Sequence, residues 1–170
     1  PHTMIQRLLL LALLLTSAAF AQPHVVFMIG EDEYHTWETL PVFAEKDAKA
    51  AGYRTTVVHA DAADKNNFPG LTAALKDADV LFLSVRRRTP VKEQLDAVRA
   101  HLAAGKPLVG IRTASHAFAL RAKDKLTDPK LATWQEFDPE VLGGHYVNHY
   151  GNGPTTTVTP GSKVRSVLSA

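Results

Sequence analysis

The stretch "DVLFLSVRRRTPVKEQLDAVRAHLAAGKPLVGIRTASH", residues 79–116, decides the fold. An apolar run (79–85) leads into three arginines. An amphipathic segment (89–105) then opens at Thr89 and Pro90 and stops at Gly105, before a second apolar run (106–111). Strands covered by helices on both faces read as runs rather than alternations, and strand, helix, strand in this order is a βαβ unit around a parallel sheet. Thr89 is expected as the helix N-cap, with Pro90 at the first helical position.

The same rhythm continues toward the N-terminus. "HVVFMIG" (24–30) predicts the first strand. "WETLPVFAEKDAKAAG" (37–52) predicts a helix with Leu40, Phe43, Ala44, Ala48 and Ala51 on one stripe and Gly52 as its stop. "YRTTVVHA" (53–60) predicts a less buried second strand, and "FPGLTAALKDA" (68–78) a short helix. Beyond Ala117 the pattern breaks up. Residues 120–137 are polar and irregular, "DPEVL" predicts a short helix, and Gly143 and Gly144 break it before an extended histidine-rich segment and one more strand near 155–159. An α/β domain rarely finishes on such a fragment, so the domain spanning 22–170 is expected to be cut short at its C-terminal end.

The chain of 170 residues, 45% hydrophobic, is of a size for one domain. "MIQRLLLLALLLTSAAFAQ" has a basic residue, a short apolar run and a small-residue exit, so residues 4–21 are expected to be a secretory signal, with "PHT" ahead of Met4 as gene-boundary residue. The run is too short for a permanent membrane span, and the mature protein is expected in the periplasm or secreted. Without Arg7 the charges are 18 Lys+Arg against 17 Asp+Glu, a near-neutral balance that lacks the electrostatic footprint of nucleic-acid binding, although Arg86 to Arg88 could hold a local anion. The absence of cysteine excludes disulfides, a thiolate nucleophile and cysteine-ligated zinc.

In open parallel sheets ligands bind beyond the carboxyl ends of the strands, where strand order reverses. The loops at those ends are "EDEYHTW" (31–37), "RRR" (86–88) and "RTASH" (112–116), rich in charge and imidazole, whereas the opposite loops are plain turns. The strand ending in Gly110-Ile111 has the form of a nucleophile elbow. The residue at that elbow is Arg112, which cannot be a nucleophile, and Ser115 lies late and out of the motif's spacing. Consecutive side chains seldom face each other, so Ser115 and His116 are not expected to pair. His116 fits a proton-transfer role and Arg112 a fixed cation aimed at a developing oxyanion. A histidine that merely caps the following segment is the competing reading, and for Arg86 to Arg88 a solvated loop from which one arginine turns inward. In "GGHYVNHYGNG" the glycines argue against a helix, and in an extended segment His145 and His149 stand about 13 Å apart on one face. They could share a metal only if the chain bends and His116 or His35 completes the set.

The segments "GEDEYHTWETLPVF", "GKPLVGIRTASHAF" and "LGGHYVNHYG" resemble the ThuA-like family of trehalose-utilisation proteins, related in fold to class I glutamine amidotransferases. The resemblance spans most of residues 24–160. It implies a flavodoxin-like three-layer sandwich with a mostly parallel sheet and a role in carbohydrate metabolism. It further implies a sugar or keto-sugar ligand made by a partner dehydrogenase, and His35, His116, His145 and His149 around one pocket. In the amidotransferase relatives the elbow residue is the catalytic cysteine; Arg112 stands there, so glutaminase activity is not implied. His116, His145 and Arg112 are therefore the expected catalytic residues. Glu31, Tyr34, His35, Arg86, Ser115, Asn148 and His149 are expected to bind substrate, with no cofactor and no metal assigned. Two rival readings are a non-catalytic sugar-binding module, using Tyr34, Trp37, Tyr146 and Tyr150 as stacking platforms, and a metal-dependent hydrolase.

Overall fold

A computed structural model describes residues 22–147 together with 151, 155 and 157. Residues 4–21, where a secretory signal is expected, and positions Asn148, His149 and Tyr150 lie outside the described residues, and of the strand expected near 155–159 only Thr155 and Thr157 are described. Four strands, β1 (His24–Gly30), β2 (Arg54–His59), β3 (Val80–Val85) and β4 (Leu108–Gly110), pair in parallel in the order β2-β1-β3-β4. The helices α1 (Thr36–Phe43), α2 (Leu71–Leu75) and α3 (Lys92–Ala103) lie between them. This is an α/β flavodoxin-like fold, and the order reverses between β1 and β3. Among the described residues no helix is long and apolar enough to cross a membrane.

All seven residues of β1 are buried, which is why it reads as an unbroken apolar run. Its even positions, Val26 and Met28, face α2 and α3 in a core with Phe68, Leu71, Leu81, Leu83, Leu95, Val98, Phe118 and Phe137. Its odd positions, Val25, Phe27 and Ile29, pack on Leu40, Ala44 and Ala48 of the α1 side. The register places Val57, Phe27, Phe82 and Val109 in one row across the sheet. That row is covered over β1 but bare at its β4 end, where Val109 is 44% exposed. Truncating Phe27 or Phe68 to alanine would cost about 3–5 kcal/mol, since both are fully buried.

Two expectations about helices need correction. The helix expected from residue 37 to 52 is regular only over Thr36–Phe43 and continues as a π-helical turn, Ala44–Ala48. Pro41 sits inside it, and without an N–H it cannot bond the carbonyl one turn back. The wider turn rotates the stripe, so Leu40, Ala44 and Ala48 are buried while Ala51 is exposed. Phe43 rests edge-on against Phe27 at 6.1 Å. Gly52 takes φ 89°, as a helix stop requires.

The helix expected to have Thr89 as its cap starts two residues later, with Val91 in the cap position. Val91 is held in an isolated bridge instead. Val91 pairs antiparallel with Leu131, Lys92 N–H donates to the Lys130 carbonyl and Ala132 N–H to the Pro90 carbonyl. Tertiary pairing thus overrides a local capping signal.

Candidate functional site

The loop after β1 is built by one carboxylate. Glu31, 3% exposed, accepts from the backbone N–H groups of Glu33 at 2.7 Å, Tyr34 at 2.8 Å and Thr36 at 2.9 Å, and from the Thr36 hydroxyl at 2.5 Å. Burial alone would raise its pKa, but the bonds from Thr36, Glu33 and Tyr34 outweigh it and hold the carboxyl below its ordinary value. All four bonds hold the turn, so Glu31 is committed to positioning Glu33 and Tyr34.

The loops after β3 and β4 are laced together. Arg87 N–H donates to the His116 carbonyl at 3.1 Å, Arg88 N–H to the Ala117 carbonyl at 2.8 Å, and the buried Thr113 hydroxyl to the Val85 carbonyl at 3.1 Å. Residues Arg112–His116 form a 3₁₀ turn. Among the described residues three non-glycine residues adopt left-handed backbone conformations, His35 (φ 56°), Arg87 (φ 48°) and Arg112 (φ 48°), one in each of the loops after β1, β3 and β4. Such residues persist only where the surroundings impose them, and they gather at functional sites. Arg112 has the positive φ at the elbow position itself.

These loops enclose a cleft of about 290 Å³ lined by Glu33, Tyr34, Arg86, Arg112, Thr113, Ser115, His116 and Tyr146. The Arg112 guanidinium lies 3.6 Å from the centroid of the Tyr34 ring. Arg86 Nε is 3.0 Å from the Glu33 carboxylate. The His116 ring stacks on Tyr146 with centroids 4.5 Å apart. This stacked pair is shared with a neighbouring cleft of about 430 Å³, which also contains Arg87, Arg121, Asp138 and His145.

His145 sits at the far side of the pair. Its Nδ1 is 3.2 and 3.1 Å from the two oxygens of Asp138, a 3% exposed carboxylate that also accepts the Tyr146 N–H at 2.7 Å. Gly143, with φ 75°, turns the chain back so that this contact can form.

Of the residues expected from sequence, Tyr34, Arg86, Arg112, Ser115 and His116 line the first cleft and His145 the second. His35 is not brought to them, which corrects the expectation of a shared pocket. Its left-handed backbone turns it outward at the start of α1, 68% exposed, stacked on Trp37 at 4.8 Å and 3.9 Å from Glu38. Glu31 is likewise withdrawn into its turn. Ser115 and His116 are not expected to meet, yet Oγ lies 3.1 Å from Nδ1. The proton-transfer role expected of His116 meets a displaced pKa. Burial first, then the charges of Arg87 and Arg86, lower its pKa to about 4, so it is a neutral imidazole at pH 7.

Sequence reasoning missed Asp138 and Glu33. Glu33 could have been found as an acidic residue in a loop already singled out, whereas Asp138 lies seven residues from its partner across a turn whose shape depends on Gly143. Among the described residues no group of three or more histidines and carboxylates has the arrangement of a metal site. Comparison with family models, with curated proteins and with solved structures finds no match to this chain.

Proposed function

We propose that the chain is an exported carbohydrate-metabolism enzyme of ThuA-like kind, which binds a sugar or keto-sugar across the joined clefts and uses His145 as general base. The Asp138–His145 pair is the observation that supports this most directly. A buried carboxylate at Nδ1 selects the tautomer whose Nε2 can accept a proton, and a solvent-facing imidazole can meet a substrate hydroxyl or a carbon acid beside a carbonyl. Arg112 and Arg86 stand across the His116–Tyr146 pair as donors to a developing oxyanion. His116, neutral at pH 7, acts as a hydrogen-bonding group rather than as an acid.

A catalytic reading is favoured over a sugar-binding module by the state of the aromatic rings. Tyr34, Tyr146 and Trp37 each have one face covered already, by Arg112, His116 and His35. A dehydrogenase that oxidises the sugar is the proposed source of substrate.

Mass-spectrometric screening of the mature protein against oxidised and unoxidised disaccharides tests the reading. A product is expected, and His145→Asn is expected to lower turnover by roughly 10²- to 10⁴-fold with a much smaller change in affinity. Unchanged turnover in His145→Asn would overturn the assignment of the base, and no product from any sugar would overturn the reading itself.

A further inference from the structure

We infer that the cleft between the loops after β1, β3 and β4 is a subsite for the carboxylate of an acidic sugar, an aldonate or a uronate, held by the guanidinium fork of Arg112. The inference rests on the carbohydrate reading above and adds a substrate class to it.

The arginines around this edge differ in what they already hold. Arg88 is paired with Asp32 at 2.5 Å, and Asp32 also takes Lys65. Arg86 is paired with Glu33. Arg87 is spent on the Ala119 carbonyl, to which its Nη1 donates at 3.3 Å. Arg112 is different, since among the described residues its guanidinium meets no carboxylate and rests only on the face of Tyr34. Stacking occupies the plane of the guanidinium and leaves its edge, where the N–H donors lie, for a ligand.

That edge is a fixed one. The backbone of Arg112 is held left-handed, and the turn that carries it is tied to β3 through Thr113 and to the Arg87 loop through His116. A planar, five-donor fork held in place matches a planar carboxylate with two parallel hydrogen bonds.

Charge in the cleft sets the ligand's valence. Arg86 and Arg112 face a single acid, Glu33, and His116 carries no charge at neutral pH, so the lining has one positive charge in excess. A monoanion balances it. A phosphate dianion would exceed it. A volume of about 290 Å³, at the lower end for small-molecule sites, suits one sugar unit.

Titration calorimetry on the whole chain with D-glucuronate, D-gluconate, D-glucose, propionate and inorganic phosphate tests the proposal. At low salt the two sugar acids are expected to bind about tenfold or more tighter than glucose, and added salt to narrow the gap. Arg112→Asn, whose side chain tolerates a left-handed backbone, is expected to abolish the preference of the sugar acids over glucose. Arg112→Lys, which keeps the charge and loses the fork, is expected to retain part of it; with the salt series it reports on the subsite should the asparagine variant fold poorly. Equal binding of glucuronate and glucose would overturn the subsite and leave the carbohydrate reading standing. Propionate as tight as glucuronate, and lost in Arg112→Asn, would keep the carboxylate site and overturn the carbohydrate reading. Phosphate as tight as glucuronate, or a preference that survives Arg112→Asn in a folded protein, would overturn the proposal, and no binding by any probe would overturn both.

Discussion

Asp138 and His145 form a carboxylate–imidazole contact at 3.1–3.2 Å in which the acid is buried and the imidazole 62% exposed. The buried partner fixes orientation, and the exposed partner remains open to a ligand. Asp138→Asn keeps the shape but offers Nδ1 an amide in place of an anion. The Nδ1-protonated tautomer of His145 is expected to dominate in the parent protein and to become mixed in the variant, as read by nitrogen NMR shifts of the ring. On an identified substrate turnover is expected to fall by roughly 10²-fold or more, with KM changed far less.

His116 is expected to titrate near pH 4 rather than at the ordinary 6.5, followed by the shift of its ring Cε1 proton. Because the folded pKa is depressed, the unfolded chain binds the proton more readily between these values, so this residue lowers stability as pH falls from 6.5 toward 4. Arg87→Asn, which removes a neighbouring positive charge at a left-handed position, is expected to move the midpoint upward. A midpoint unchanged by this variant would remove Arg87 from the causes of the shift.

Gly30 ends β1 where a Cβ would lie 2.6 Å from Cζ of Phe68, a ring with no exposed surface. The ring cannot retreat easily, since Gln94 bonds both the N–H and the carbonyl of Phe68. Gly30→Ala is expected to destabilise by about 1–3 kcal/mol in denaturant unfolding. Phe68→Leu in the same chain is expected to recover part of that loss, giving a non-additive cycle.

Glu31→Gln tests the turn after β1. Replacing an anion that accepts four bonds is expected to cost about 1–3 kcal/mol at neutral pH. The folded carboxyl has a depressed pKa, so its contribution is present above the ordinary 4.5 and is lost as pH falls through the folded value. The gap between parent and variant is therefore expected to close in acid. Because the turn positions Tyr34, the variant is also expected to weaken ligand binding in the Arg112 cleft.

The strand His24–Gly30 is legible in sequence because burial on both faces writes itself as an apolar run of seven residues, whereas β4 shrinks to Leu108–Gly110 with Val109 bare at the sheet edge. Once the parallel order was read, the carboxyl-end loops followed, and with them Tyr34, Arg86, Arg112, Ser115 and His116. What could not be read depends on contacts between segments. Val91 is drawn from a helix cap into an extended bridge by Leu131, some forty residues on. His35 sits in the loop that lines the cleft, yet with its left-handed backbone it stands 68% exposed to solvent. The Asp138–His145 contact requires the return turn at Gly143, and His116's pKa depends on arginines thirty residues away.

The left-handed residues carry a further implication for selection. An arginine or histidine at φ near 50° costs about 1 kcal/mol relative to a glycine in the same place, and Arg87 and Arg112 sit in loops tied rigidly to each other. Unbiased selection for thermostability would therefore favour glycine at these positions, erasing the side chains that give the edge its chemistry. Drift toward glycine there marks a copy released from its duty, and retention of arginine marks one still at work.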